Sequence, residues 1–200
     1  MTGAGRTPMA GLALAGGRST RFGGEKATAL LGGRPLLAIA LDHLGRHCEA
    51  VAVSAGPGSE AEALARARDV PVLHDPAGAP RGPLAGVCAG LDWAQTHGSA
   101  LLAVLPCDLP RVPPDLFGRL LDELEPGDGA AVARTADGPQ SLCFVARAAL
   151  HAPLAALLRA GEHPAVHAWL EGVGARQVFF AEAAGFANIN TPEDLSRAAP

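Results

Sequence analysis

The sequence lacks the features by which nucleic-acid-binding, membrane and secreted proteins are recognised. Lysine and arginine together number 16 against 20 acidic residues, so the net charge is −4 and a broad basic surface for nucleic acid is not expected. No segment approaches about 18 uninterrupted apolar residues, and the opening residues do not have the pattern of a signal peptide. We therefore expect a cytoplasmic protein that has neither nucleic acid nor membrane as a partner.

Cysteine is scarce and scattered. The four cysteines, Cys48, Cys88, Cys107 and Cys143, form no CxxC pair and sit in apolar contexts, which predicts reduced thiols in the core of a cytosolic protein. Ser141 lies in no GxSxG motif and Cys143 has no base signal beside it. The sequence therefore does not support catalysis by a covalent nucleophile.

Three common ligand signatures are also absent. A Walker A loop is excluded because Glu25 precedes Lys26 where glycine is needed and Ala27 follows it, and the missing GxGxxG motif weighs against a dinucleotide-dependent oxidoreductase. His163 and His167 have the i, i+4 spacing of zinc ligands on a helix, but neither a third ligand nor an HExxH glutamate accompanies them. We interpret both as surface residues of a helix.

What the sequence does contain is ample apolar material in a regular alternation. Apolar residues make up 48% of the chain, which excludes disorder. The strand-like runs are 11–15, 50–55, 70–74, 100–105, 130–134, 141–146 and 175–181, and the helix-like runs are 34–47, 59–68, 83–97, 113–124, 148–161 and 191–199. We predict an α/β fold: one three-layer, Rossmann-like domain with a mostly parallel sheet over residues 9–200, behind a flexible tail of residues 1–8.

A glycine-rich loop follows the first strand-like run, in "LALAGGRSTRFGGEK" (12–26). Glycines let a backbone approach a phosphate closely, Arg21 could bind two oxygens at once, and Lys26 could act as a point charge. A solvated turn with incidental basic residues explains the loop equally well.

A carboxylate ends the fourth strand-like run, in "LLAVLPCDLPRVPPDL". Burying an unpaired carboxylate is unfavourable, so Asp108 is expected to have a cation or a metal as partner. Mg²⁺ prefers hard oxygen ligands, often one or two carboxylates together with substrate phosphates. Since ligands of open parallel sheets bind beyond the carboxyl ends of the strands, Asp108 is a candidate magnesium ligand opposite the glycine loop.

Two further segments carry polar candidates. Asp75 and Gly82 lie in the loop after the third strand-like run, where a base or ribose contact and a plain Pro/Gly turn are equally consistent with the spacing. Asn188 and Asn190 alternate in "FANINTPEDL", on a predicted strand that would put both amides on one face. They could face a ligand or metal, or stabilise a turn by Asx hydrogen bonds.

Four motifs together resemble one family. "LAGGRSTRFGGEK", "GPLAG", "PCDLPRVPPDL" and "NINTPEDL", in this order and spacing, are similar to the molybdenum cofactor guanylyltransferases, the MobA-like nucleotidyltransferases, over about residues 10–197. The first motif is shared with sugar-nucleotide pyrophosphorylases and cytidylyltransferases. The combination of "GPLAG" with "NINTPEDL" favours the guanylyl branch, since cytidylyl relatives tend to have aspartate where Asn188 stands.

The resemblance implies roles for specific residues. GTP would be bound by Leu14, Ala15, Gly16, Gly17, Asp75 and Gly82, its phosphates by Arg21 and Lys26, Mg²⁺ by Asp108, and the pterin or metal side by Asn188 and Asn190. Ser54 stands where members often have asparagine, which puts in doubt both its contact and some of the base selectivity, because a hydroxyl is shorter than an amide. Lys26, Arg21 and Asp108 would be the catalytic residues.

The implied reaction joins GMP from GTP to molybdopterin or its molybdenum-loaded form and releases pyrophosphate. Molybdoenzyme apoproteins or other cofactor-biosynthesis proteins would be further partners. Three alternatives stay open at this point: a cytidylyltransferase for the same cofactor, a sugar-1-phosphate nucleotidyltransferase, and a non-catalytic nucleotide- or cofactor-binding protein that docks on molybdoenzymes.

Overall fold

The computed structural model describes residues 7–16, 24–80 and 82–198. Within them the strands are β1 (Met9–Leu14), β2 (Leu30–Leu31), β3 (Arg34–Pro35), β4 (Ala50–Ser54), β5 (Val72–Leu73), β6 (Leu101–Pro106), β7 (Ala130–Thr135), β8 (Gly138–Arg147) and β9 (Arg176–Phe179). The helices are α1 (Leu36–Leu44), α2 (Glu60–Arg66), α3 (Pro83–Thr96), α4 (Leu116–Asp122), α5 (His151–Arg159), α6 (Val166–Gly172) and α7 (Pro192–Ala198). Short 3₁₀ turns occupy Lys26–Thr28, Ala148–Leu150 and Ala183–Phe186.

Seven of the strands form one sheet in the order β5-β4-β1-β6-β8-β7-β9, and β2 pairs with β3 in a separate hairpin. Neighbours β5, β4, β1 and β6 are parallel, and β9 is parallel to β7. Strand β8 runs antiparallel to both of its neighbours. Only residues 136 and 137 connect β7 to β8, too few for a crossover, so the chain must reverse there. The predicted α/β fold with a mostly parallel sheet is confirmed.

The core lies on both faces of the sheet, as the unbroken burial of β1 shows. Ala10, Leu12 and Leu14 of this strand belong to the apolar cluster that includes α3, α5 and α6. Met9 and Ala13 belong to the cluster that includes α1, α2 and α4. Side chains of a strand alternate between its faces, so this division gives the predicted three layers: helices, sheet, helices.

Some boundaries differ from the sequence-based prediction. Strand β5 is reduced to two residues, the length over which it pairs with β4. The expectation that His163 and His167 share a helix is wrong, because α6 begins at Val166 and leaves His163 in the preceding loop. Pro164 accounts for this difference, since the residue before a proline is disfavoured in the helical conformation.

The described residues contain no helix that is both long enough and apolar enough to cross a membrane. All four cysteines are free thiols. Cys88, Cys107 and Cys143 are buried and Cys48 is half-buried, in agreement with the predicted reduced core thiols.

A buried histidine makes the packing of α1 sensitive to pH. His43 is only 7% exposed and lies 5.7 Å, centroid to centroid, from both Phe117 and His47. Its Nε2 is buried without a hydrogen-bond partner among the described residues. Burial, and then the nearby charges of His47 and Arg46, lower the pKa of His43 from 6.5 to about 4. The folded protein therefore holds this imidazole neutral.

We predict that His43 contributes to acid destabilisation. The unfolded chain takes up this proton near pH 6.5 and the folded protein only near pH 4, so the stability is complete above pH 6.5 and falls as the pH drops towards 4. The full loss is on the order of 3 kcal/mol. His43→Leu should reduce the fall between pH 7 and 4.5 in urea denaturation, whereas His167→Leu, at an exposed position, should leave it unchanged. An equal fall in wild type and His43→Leu would contradict the assignment.

Candidate active site

Three of the predicted site residues meet at the carboxyl ends of β1 and β6. The ammonium nitrogen Nζ of Lys26 lies 3.0 Å from Oδ2 of Asp108 and 2.8 Å from Oδ1 of Asn190. The partners of Lys26 are 82 and 164 residues away along the chain, so the fold alone brings them together. The result is one cation bound to a carboxylate and an amide at the edge where ligands of such sheets bind.

Lys26 is the sole lysine in the sequence, against 15 arginines. A lysine offers a compact charge with three donors, whereas an arginine offers a planar fork that cannot make the same set of contacts. Two of the three ammonium donors have partners in Asp108 and Asn190. Among the described residues, the third donor has no hydrogen-bond partner.

Backbone contacts hold Asp108 on two sides. The N–H of Cys107 donates to the carbonyl of Leu14 at 3.1 Å, and the N–H of Ile189 donates to the carbonyl of Asp108 at 2.9 Å. The side chains of Lys26 and Asp108 are only 15% and 20% exposed. A carboxylate so far removed from water needs a charged partner, and Lys26 is that partner.

The same surroundings keep the nearest thiols inert. Burial raises the pKa of Cys107 to about 12, and the charge of Asp108 raises it further than Lys26 lowers it. Burial, followed by the charge of Asp108, likewise raises the pKa of Cys143. The raised pKa values keep both thiols protonated at neutral pH.

The residues at the end of β1 and just after it differ in whether they hydrogen-bond to the sheet. The carbonyl of Leu14 accepts from Cys107, and the N–H of Ala15 donates to the carbonyl of Ser54 at 2.9 Å, so these groups extend the sheet. Gly16 is exposed, and a Cβ placed on it would meet no atom of the described residues within 4 Å. Gly16 is thus the first position after β1 that the described residues leave open.

Two of the predicted site residues, Gly17 and Arg21, lie outside the described residues. The same holds for Arg18, Gly23 and Arg81 of the two loops.

Ser54 lies beneath helix α3 at the end of β4. It is 6% exposed, and its Oγ is 2.4 Å from the position that a Cβ of Gly86 would occupy. Leu14 Cδ2 is 3.2 Å from the same position. The absence of a side chain at Gly86 therefore permits α3 to approach β1 and β4 closely, and Ser54 is buried in that contact.

The loop after β5 places Asp75 and Gly82 at the same edge of the sheet. Asp75 is exposed, and Gly82 is the residue before α3, with φ +151°. A Cβ on Gly82 would lie 2.4 Å from Cε1 and 2.5 Å from Nε2 of His163. Nε2 of His163 is buried without a hydrogen-bond partner among the described residues. The loop of His163 is thus part of the surroundings of the site, which the sequence reasoning missed.

The asparagine segment belongs to no strand, so the predicted strand there is wrong. The alternation itself holds, since Ile189 is buried and Asn188 and Asn190 on either side are exposed. The backbone N–H of Asn190 donates to Oδ2 of Asp194 at 2.9 Å. Asn190 is therefore held by the first turn of α7.

Helix α7 begins at Pro192 behind Thr191, within the predicted helix-like run 191–199. Thr191 Oγ1 accepts from the N–H of Asp194 at 3.1 Å, and Oδ2 of Asp194 accepts from the N–H of Thr191 at 2.9 Å. This reciprocal arrangement is a capping box with aspartate in the third position. Asp194 thereby connects the start of α7 to Asn190, whose side-chain amide oxygen contacts Lys26.

The oxygen donors of the site suit magnesium bound together with a substrate. Residues 7–16, 24–80 and 82–198 contain no group of three or more His, Cys, Asp or Glu side chains that could hold a metal ion. Asp108 offers a carboxylate, and Asn190 an amide oxygen, at one edge. Mg²⁺ takes one or two carboxylates and completes its shell with phosphates and water. Asp108 and Asn190 therefore fit that ion.

Several supporting residues were missed by sequence reasoning. Gly86 was quoted only as part of a motif, although a glycine inside a helical pattern is a signal for close packing. The roles of Glu25 and Asp194 depend on contacts with Ala61 and Asn190 that the sequence pattern does not show. The uniqueness of Lys26 was readable from the composition and was overlooked.

The fold and the site define a class: an α/β protein with a cation and a carboxylate paired beyond the carboxyl ends of its parallel strands, suited to an anionic nucleotide. The model of the MobA-like NTP transferase domain matches residues 11–178. The chain belongs to this family and is a nucleotidyltransferase.

Curated relatives match over nearly the full length. A protein of Cereibacter sphaeroides, named molybdenum cofactor guanylyltransferase, is 42% identical over 190 residues, which are 94% of each chain. A protein of Rhodobacter capsulatus with the same name is 38% identical over 95% of this chain and 94% of its own.

Solved structures support the fold. The molybdopterin-guanine dinucleotide biosynthesis protein A of Archaeoglobus fulgidus has a TM-score of 0.76 at 24% identity, over 95% of this chain and 96% of its own. The 4-diphosphocytidyl-2C-methyl-D-erythritol synthase of Anaerococcus prevotii has a TM-score of 0.68 at 15% identity, over 96% and 94%. The predicted nucleotidyltransferase type of fold is confirmed.

We predict that Gly86→Ala destabilises the protein by roughly 1–3 kcal/mol, because its Cβ would collide with Ser54 and force α3 away from the sheet. Gly118→Ala is the matched control, since Gly118 is also helical and its Cβ would meet none of the described residues within 4 Å. That control should gain roughly 0.5–1 kcal/mol from helix propensity. Urea denaturation measures both, and equal effects would show that α3 does not require this close approach.

We predict that the cap on Asn190, meaning the hydrogen bond from its backbone N–H to Oδ2 of Asp194, survives to unusually low pH. The pKa of Asp194 is lowered from 3.8, first by the hydrogen bond from the backbone of Asn190 and then by Arg197. The cap is therefore complete above pH 3.8 and is lost as the pH falls through the lower, folded-state pKa. The Asn190 amide resonance should titrate with a midpoint below 3.8 in wild type, and this transition should vanish in Asp194→Asn. A midpoint at or above 3.8 would exclude the cap in solution.

Proposed function

We propose that this protein transfers GMP from GTP to molybdopterin, or to its molybdenum-loaded form, and releases pyrophosphate. The observation that carries the proposal is the Lys26–Asp108–Asn190 cluster at the nucleotide edge of the fold. The choice of guanine and of molybdopterin is supported by the names of relatives such as the 42% identical protein of Cereibacter sphaeroides.

In this proposal Lys26 neutralises charge on the transferring phosphoryl group. Its ammonium is fixed by Asp108 and Asn190, and its third donor is left for a phosphate oxygen. A cation held in place before the reaction stabilises the developing charge without having to reorganise. Lys26 should therefore act more on turnover than on nucleotide affinity.

Asp108 would hold Mg²⁺, with Asn188 or Asn190 as a further oxygen donor on the acceptor side. When bound, the ion neutralises and orients the phosphates of the nucleotide. Because Asp108 also accepts from Lys26, a Mg²⁺ ion held by Asp108 and the ammonium of Lys26 would both supply positive charge for the triphosphate. Arg21 would add a further cation from the glycine loop.

The transfer would be direct. A terminal phosphate oxygen of molybdopterin attacks the α-phosphorus of GTP, the bond to the bridging oxygen of pyrophosphate breaks, and pyrophosphate carries away the electron pair. The buried thiol of Cys107, with a pKa raised to about 12, does not intervene. The contribution of the protein is positioning and charge stabilisation.

The roles of the nucleotide-contacting residues belong to the same proposal. Gly16 would approach the triphosphate with its backbone, and Asp75 and Gly82 would hold the nucleoside. Ser54 is only 6% exposed, so it would act indirectly, by supporting the packing of α3 on the sheet. A cytoplasmic location and delivery of the product to molybdoenzyme apoproteins, or to other proteins of cofactor biosynthesis, complete the proposal.

The test is pyrophosphate release with molybdopterin as acceptor and Mg²⁺ present, compared for GTP, CTP and ATP. GTP should be strongly preferred, and Lys26→Ala and Asp108→Ala should each lower kcat by roughly 10²- to 10³-fold. Lys26→Arg should fail to restore turnover, because a guanidinium cannot reproduce the contacts of the ammonium. The affinity of Lys26→Ala for GTP should change much less than its kcat.

Arg176→Gln is the control. Arg176 lies on β9, the last strand in the sheet order and not a neighbour of β1 or β6, so its replacement should leave turnover unchanged. Preference for CTP would move the protein to the cytidylyl alternative. Release only with a sugar 1-phosphate as acceptor would favour the pyrophosphorylases, and GTP binding without any release would favour the non-catalytic binding protein. A Lys26→Ala variant that turns over normally and only binds GTP more weakly would refute the role of Lys26.

A further inference from the structure

The segment that carries Lys26 is attached to the first turn of α2. The side chain of Glu25, the preceding residue, reaches this helix, where its Oε2 accepts from the backbone N–H of Ala61 at 2.9 Å. Ala61 is fully buried, in the first turn of the helix. The first N–H groups of a helix have no partner within the helix, so Glu25 satisfies one of them.

A second contact lies on the other side of Lys26. Thr28 Oγ1 is 2.6 Å from Oε2 of Glu60, the first residue of α2, and 3.0 Å from the carbonyl oxygen of Glu25. The N–H of Thr28 donates to the same carbonyl at 3.1 Å. Between these residues Ala27 is 2% exposed and packs in the core. The backbone of Lys26 is therefore held on both sides.

These contacts matter because a lysine side chain is long and flexible. The ammonium at the end of the Lys26 side chain is bound by Asp108 and Asn190. Only a fixed backbone allows such a flexible side chain to place its ammonium at one position. Glu25 supplies such an anchor without contacting the cluster itself. Ser59 caps the neighbouring position, since its Oγ accepts from the N–H of Glu62 at 3.1 Å.

We propose that Glu25 is a positioning residue for Lys26: its hydrogen bond to Ala61 ties the backbone of Lys26 to α2 and so sets where the ammonium lies. As far as turnover is concerned, this inference rests on the proposed function. The position of the ammonium itself can be observed without any activity, because Lys26 is the sole lysine and gives a single set of side-chain NMR signals.

The experiment compares Glu25→Gln, Glu25→Asp and Glu25→Ala. Glutamine keeps the length and the accepting oxygen, aspartate is one carbon too short, and alanine removes the contact. We expect kcat for GTP to fall by roughly 10- to 100-fold in Glu25→Ala and Glu25→Asp, with a much smaller change in KM, and to stay within about twofold of wild type in Glu25→Gln.

Glu62→Ala is the matched control. Glu62 also stabilises the first turn of α2, by accepting from the N–H of Gly58 and from Arg66, but these contacts do not involve the Lys26 segment. This variant should lower the melting temperature and leave kcat within about twofold of wild type. Nζ and Cε resonances of Lys26 should match wild type in Glu25→Gln and Glu62→Ala, and should shift in Glu25→Ala and Glu25→Asp.

Two results would overturn the proposal. If Glu25→Gln were as impaired as Glu25→Ala, the charge of Glu25 and not its hydrogen bond would be responsible. If Glu62→Ala shifted the Lys26 resonances and lowered kcat as much as Glu25→Ala, general stability of α2 would be responsible. Should wild type release no pyrophosphate with any nucleotide, the proposed function fails, and the Lys26 resonances still decide the positioning role.

Discussion

The ion pair between Lys26 and Asp108 is the contact on which the site depends. A carboxylate at the end of a buried strand is unfavourable without a cation, and removal of one partner would leave the other charge uncompensated at a position 15–20% exposed. Asn190 gives the same ammonium a second oxygen. Because the ion pair joins residues 82 positions apart, the site exists only once β1 and β6 are paired.

Main-chain contacts give this cluster its rigidity. Asp108 is held through its carbonyl by Ile189, and Asn190 through its N–H by Asp194. The residue before Asn190 is thus bonded to the segment that follows β6, while α7 begins two residues after Asn190. Contacts of this kind constrain the reacting groups more closely than side-chain packing alone, since each fixes the backbone from which a functional side chain extends.

Local patterns were sufficient for most of the elements. Helices α3 and α7 begin at Pro83 and Pro192, within one residue of the starts of the predicted runs 83–97 and 191–199, because proline is preorganised for the first helical turn. The reversal of β8 and the short length of β5 were not predicted, because strand direction and pairing length depend on neighbours in the sheet. The loop position of His163 was missed although Pro164 signalled it.

The sequence by itself determined the chemical types at the site: a cation, a carboxylate and two amides, each placed just beyond an apolar run or at a helix start, where charge can be accommodated. Only the tertiary structure decided that Lys26 contacts both Asp108 and Asn190, that Ser54 lies beneath Gly86, and that Glu25 reaches α2. The reason is physical: hydrophobic periodicity and turn chemistry act over a few residues, whereas these contacts follow from the order of strands and the closeness of helix packing.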